Sequence, residues 1–172
     1  MKRILAFAFA LALAGVIGSP GIAQEKAAPA AKKTAPAKKP MHVIVNASDL
    51  KWTDAPPSFP PGGKMAVLQG DPGKASLFTI RFKAPDGYKV PAHWHPTTEH
   101  VTVISGTGYL GTGDKLDERK GVPMSAGAFA SMPAKMHHFA WFKGETEIQI
   151  HAMGPFQIIY VNPADDPSKA TK

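Results

Sequence analysis

The chain has 172 residues, with 20 Lys+Arg against 13 Asp+Glu, 7 His, 17 Pro, 16 Gly and no Cys. That length suits one domain with a real core, and the absence of cysteine excludes a disulfide framework, a thiolate metal site and a cysteine nucleophile. The proline and glycine content argues against a helical bundle and for short strands joined by turns.

In chain order, residues 1–23 read as an export signal. Lys2 and Arg3 supply a positive start, and Ile4 to Ile17 is an uncharged apolar run. Ser19-Pro20 breaks the run, and Gly21-Ile22-Ala23 is a small-x-small cleavage site. The run is shorter than the ~20 residues that a membrane-crossing helix needs. A cleaved signal with no stable membrane span afterwards is therefore expected, and an uncleaved N-terminal anchor is the alternative. With no cysteine to acylate, a lipoprotein is excluded. The expected address is periplasmic or secreted.

Residues 24–40 are Ala, Lys and Pro almost throughout and show no apolar periodicity. Such a stretch cannot bury enough surface to offset its ordering entropy, so it reads as a disordered linker. The formal charge of +7 now divides unevenly. Lys2 and Arg3 give +2, and five linker lysines less Glu25 give +4. Residues 41–172 keep 13 Lys+Arg against 12 Asp+Glu, a balance of +1. Nucleic acid is not expected as a partner of a domain so nearly neutral.

From Met41 onward, runs rich in Val, Ile, Phe, Thr and Tyr alternate with Gly/Pro clusters. The predicted strands are His42–Asn46, Lys64–Gln69, Ser76–Phe82, Lys89–His95, Glu99–Ser105, Thr107–Gly111, Ala128–Met132, His138–Phe142, Glu145–Ala152 and Phe156–Val161. No window carries a sustained helical stripe with caps. The fold class is all-β, a sandwich or closed barrel spanning residues 41–165, followed by a loose polar tail at 166–172.

Four histidines fall where chemistry is expected. His93 and His95 are spaced i, i+2 and so share one face of a strand; Glu99 shares their parity and His100 does not. Two imidazoles and a carboxylate on one face form most of a first-row transition-metal site. A further ligand can come from His137 or His138, but adjacent residues on a regular strand cannot both face one metal. The remaining His42, His100 and His151 read first as ordinary surface or core residues.

At these residues the sequence resembles a cupin. The family's first motif, G-x5-H-x-H-x3/4-E-x6-G, is matched at Gly87, His93, His95, Glu99 and Gly106. The second, G-x5-P-x-G-x2-H-x3-N, is matched at Gly127, Pro133 and His138, which selects His138 over His137. Lys135 stands in place of its glycine and Phe142 in place of its asparagine. The resemblance implies an antiparallel jelly-roll β-barrel around one divalent transition metal (Fe, Mn, Ni, Cu or Zn). By position its ligands would be His93, His95, Glu99 and His138. It also implies a small-molecule ligand and a homodimer paired through sheet edges.

A His/carboxylate site with open positions can take an oxygen-chelating substrate and O2 together. Trp94, Met132, Met136, Phe142 and Met153 lie near the motifs and make an apolar pocket plausible, although each alone reads as core. The leading functional expectation is a metal-dependent dioxygenase for a small dicarbonyl or enolic compound. His151 is a candidate partner to a ligand or a proton acceptor. The second expectation is a non-catalytic module that binds or senses metal or a small ligand, as in cupins that form part of anti-sigma regulators. An isomerase or oxalate-active cupin is the third.

Overall fold

The computed structural model describes residues 42–169. The predicted signal and linker, at 1–40, lie outside the described residues. Nine strands run β1 Thr53–Asp54, β2 Lys64–Gln69, β3 Leu77–Ala84, β4 Lys89–Trp94, β5 Glu99–Thr112, β6 Val122–Ser125, β7 Phe129–Met132, β8 His138–Met153 and β9 Ile159–Tyr160. Only 3-10 turns accompany them among the described residues. None of these turns is long and apolar enough to cross a membrane.

Every pairing is antiparallel, and the sheet runs β1-β2-β3-β8-β4-β9, with β5 joined to β6, β7 and β8. The two longest strands explain the curl. The C-terminal half of β8 pairs with β3 and with the start of β5. Its N-terminal half pairs with β4 and with the end of β5. Alternation then sends Phe78, Ile80 and Phe82 of β3, Val103 of β5 and Ile148 and Ile150 of β8 into one core cluster. Burying a side chain of this size contributes about 1.5–3 kcal/mol.

The predicted breaks at Gly106 and Gly144 are bulges or kinks inside single long strands. Glu99–Ser105 and Thr107–Gly111 join as β5, whose register against β8 shifts around Ser105 to Thr107 while Gly106 takes φ 80°. His138–Phe142 and Glu145–Ala152 join as β8 through Gly144, at φ 69°. A glycine with positive φ serves a bulge as readily as a turn, so the local signal is ambiguous. His42–Asn46 is no strand: it is exposed throughout and has no partner, and β propensity without a neighbouring edge does not make a strand. β6 is absent from the predicted strands because Pro123 argues against one; it is tolerated on an edge strand that pairs with β5 alone. Of the predicted Phe156–Val161 run, only Ile159–Tyr160 pairs. The predicted tail carries a 3-10 turn at Pro167–Lys169.

Candidate metal centre

β4 and β8 bring the two histidine motifs together. Their register shifts between Val90 and His93, which seats Pro91 at an irregularity where its missing N–H is harmless. Beyond it His93 lies directly opposite His138. The ring centroids of that pair are 4.2 Å apart, and His95 lies 5.0 Å from His93 and 5.3 Å from His138. One nitrogen from each of the three lies within 4.8 Å of the others. All three rings are buried.

Backbone carbonyls orient each ring. The Nδ1–H of His93 donates to Pro91 O at 2.7 Å, that of His138 to Met136 O at 2.9 Å, and that of His95 to Gln157 O at 2.6 Å. A carbonyl only accepts, so Nδ1 carries a proton in each case and Nε2 is the ring nitrogen left to face the cluster. The Nε2 atoms of His95 and His138 are buried without any hydrogen-bond partner. Burial holds His93 well below the usual imidazole range, helped by His138 and His95, and also lowers His95. Inward-facing imidazoles, two of them with unpartnered Nε2 atoms, have the chemistry of a metal donor set.

Glu99 adds a carboxylate at the start of β5. Its Oε2 lies 3.6 Å from His95 Nε2 and 3.5 Å from His138 Nε2, and the residue is buried. Burial pushes this carboxyl up, but the facing His95 and His138 outweigh it and hold it below the ordinary carboxylate value.

These four residues form part of the wall of a cavity with about 70 Å³ available to the centres of water-sized molecules. One water needs about 10–15 Å³ on that measure, so the space suits a ligand of a few heavy atoms. Apart from them and Tyr109, every lining residue is apolar. Met132 and Phe142 belong to the lining as expected, whereas Trp94, Met136 and Met153 do not; Met136 and Met153 are exposed on the surface. Phe59, Met124 and Ile158 also line the cavity, and nothing near the motifs marks them, because they come from segments that only the folded chain brings together.

The other histidines stand apart. His151 points outward from β8, where its Nδ1 meets Thr79 Oγ1 at 3.0 Å and its Nε2 meets Gln149 Nε2 at 2.9 Å. The inward row of that part of β8 is Ile148, Ile150 and Ala152, so strand parity directs His151 away from the cluster. His100 also faces out and stacks on Phe129 at 5.8 Å. His137 is half-buried and pairs with Asp114 at 2.6 Å, and His42 is exposed.

The two departures in the second motif have structural answers. Lys135 adopts φ 64°, the left-handed conformation that a glycine takes without cost, and its N–H donates to His95 O at 2.8 Å. Phe142 is buried in the cavity wall, 6.2 Å from the Tyr88 ring.

A small curled antiparallel barrel with a buried three-histidine cluster inside defines a cupin. The chain belongs to the ChrR cupin-like domain family, whose model matches residues 40–157. A comparison with curated proteins finds no match. Among solved structures the chain is similar to the polyketide cyclase RemF from Streptomyces resistomycificus, at 16% identity and TM-score 0.62, over 75% of this chain and 92% of that one. It is similar to a candidate acetylacetone dioxygenase from Methylibium petroleiphilum, at 20% identity and TM-score 0.58, over 76% of this chain and 88% of that one. An RmlC-like cupin from Shewanella frigidimarina matches at 14% identity and TM-score 0.52, over 67% and 94%. At such identities these likenesses establish the fold.

Proposed function

We propose that this cupin holds one divalent transition metal on His93, His95 and His138, with Glu99 as a fourth ligand, and acts as a metal-dependent dioxygenase on a small dicarbonyl or enolic compound. The observation that carries the metal reading is the convergence of three buried imidazoles whose Nδ1 atoms are all engaged by carbonyls. When bound, such a metal supplies Lewis acidity and a binding place for O2 beside a chelating substrate. His93, His95 and His138 would hold it, and Glu99 would add a negative charge. Met132, Phe142, Ile148 and Ile150 exclude water and receive the apolar part of the substrate.

The wall excludes other substrates by what it lacks. Among the described residues no Lys or Arg lines the cavity, so a second carboxylate or a phosphate would be buried unpaired. Phe142 replaces a hydrogen-bonding residue with a ring, which disfavours a sugar. An enolate whose oxygens would chelate a bound metal, and whose remainder is hydrocarbon against the wall, would meet neither penalty.

One observation favours the second reading, a non-catalytic module that binds or senses metal or a small ligand. Among the described residues, apart from the four proposed ligands, only Tyr109 brings a polar side chain to the lining, so a separate proton-transfer group is scarce. Metal analysis of the purified chain, followed by oxygen uptake with diketones, oxalate and phenolics under each metal, separates the readings. Stoichiometric metal with diketone turnover supports the enzyme; stoichiometric metal with no turnover supports the binding module.

In the same reading residues 1–23 are a cleaved export signal and 24–40 a tether. The barrel then works in the periplasm or outside the cell, as a homodimer without nucleic-acid partners. The support is the charge and apolar patterning of the N-terminus and the near-neutral charge of residues 41–172. Mass spectrometry of the exported chain and light scattering test it.

A further inference from the structure

The three histidines are not held alike. His93 and His138 donate to carbonyls two residues back in the chain, so each carries its orientation with it. His95 stands just past the end of β4 and donates instead to Gln157 O, 62 residues further along the chain. The neighbouring Phe156 lies flat on the same imidazole, with centroids 4.4 Å apart and planes 18° from parallel. One segment between β8 and β9 therefore supplies both the carbonyl that sets the tautomer of His95 and the ring that covers one face.

That segment is anchored on the far side. Phe156 N–H donates to Pro72 O at 2.7 Å and Gly154 N–H to Ser76 O at 2.9 Å, both in the turn region before β3. The Phe156 ring meets Phe78 edge-on at 5.2 Å, and Phe156 and Ile158 both line the cavity. A molecule entering the cavity touches the ring that braces the histidine and its neighbour on the same segment.

We infer that Phe156 is the positioning residue for His95, and that residues 154–158 form a strap coupling this imidazole, and with it any bound metal, to the contents of the cavity. The coupling to metal rests on the metal reading above; the coupling to His95 does not. A flat ring against an imidazole blocks rotation about its χ2, while the Gln157 carbonyl accepts only from a protonated Nδ1. Removing the ring frees the χ2 restraint and takes away the strap's packing on Phe78 and His95, so the Gln157 carbonyl is left to hold the tautomer through backbone anchors alone. Coupling of this kind is reciprocal, so metal that needs His95 in place also fastens the strap.

The test uses the full chain, Phe156→Ala, Phe156→Leu and Phe156→Tyr. Metal-free protein is read by long-range 1H–15N correlation of the imidazoles. The expected result is a single Nδ1–H tautomer at all three histidines in the parent. In Phe156→Ala, His95 alone shifts to a tautomer mixture with fast exchange, and Phe156→Tyr restores it. Should Phe156→Ala fail to fold, Phe156→Leu keeps most of the volume without the flat ring and is expected to shift His95 in the same way. An unchanged His95 in the folded variant overturns the positioning role. Co2+ titration then reads the second half: affinity falls about 10–100-fold on loss of the ring, as for other groups that orient a ligand, and amide exchange at Phe156 slows on metal loading of the parent. Equal Co2+ affinity in parent and variant overturns the coupling to metal. A parent that binds no Co2+ sinks the metal reading and this coupling with it, while the metal-free imidazole spectra still decide the role of Phe156.

Discussion

Lys135 is the one described non-glycine residue with positive φ, at 64°. It is the third residue of the turn Pro133–Met136, closed by Met136 N–H to Pro133 O at 3.1 Å. A side chain in this left-handed region costs roughly 1–2 kcal/mol, and glycine avoids that cost. Glycine is also freer in the unfolded chain, which offsets about 0.4–1 kcal/mol. Lys135→Gly is thus expected to stabilise the barrel by about 0.5–1 kcal/mol. For a barrel of this size that is a rise of roughly 2–5 °C in Tm. Lys135→Ala removes the same charge and keeps the strain, so it should leave Tm near the parent value. Differential scanning calorimetry of the three metal-free chains makes the comparison. Because Lys135 N–H holds His95 O, metal affinity should survive Lys135→Gly, where the turn is retained. Equal Tm for the glycine and alanine variants, or a lower Tm for glycine, refutes the reasoning.

The other predictions concern the site and its walls. His138→Ala should abolish tight metal binding measured by calorimetry while His137→Ala leaves it within a few-fold, since only His138 turns a buried, unpartnered Nε2 toward the cluster. Glu99→Gln keeps the shape and removes the charge; a clear loss of metal affinity is expected, and unchanged affinity would reduce the set to three histidines. Phe142→Asn, which restores the residue of the family motif, should destabilise the barrel by about 3–5 kcal/mol in urea unfolding, because a buried ring is lost and an amide is left without a partner. Burial pushes the Tyr88 and Tyr160 phenols well above their ordinary value of 10, and each donates to a backbone carbonyl, Pro60 O and Ser58 O respectively. Above pH 10 the unfolded chain releases these protons and the folded one does not, so their contribution to stability is whole below pH 10 and falls as pH rises. Their phenolate absorbance should therefore appear together with alkaline unfolding; a folded chain showing it near pH 10 would contradict the buried placement.

Much of this protein is legible in one dimension. Strand alternation led to His93 and His95 facing the same way, which holds although His95 stands just past β4, and within β5 it sets His100 opposite to Glu99. The resemblance to the second cupin motif, through Gly127 and Pro133, singled out His138, and the zero cysteine count confined any metal to imidazole and carboxylate. The charge of +7 lost its meaning for the barrel once it was apportioned along the chain. What remained illegible depends on which segments meet. Gly106 and Gly144 look like turns locally and become irregularities in long strands only because β5 and β8 lie side by side. Exposed His42–Asn46 has the composition of a strand but no edge beside it. The outward direction of His151 follows from the register of β8 against β3 and β5. The carbonyl that orients His95 belongs to Gln157, and a backbone oxygen leaves no mark on residue type. Side-chain chemistry and the resemblance to the cupin motifs pointed to His93, His95 and His138; the pairing of distant strands brought them together and decided which carbonyls, rings and apolar walls surround them.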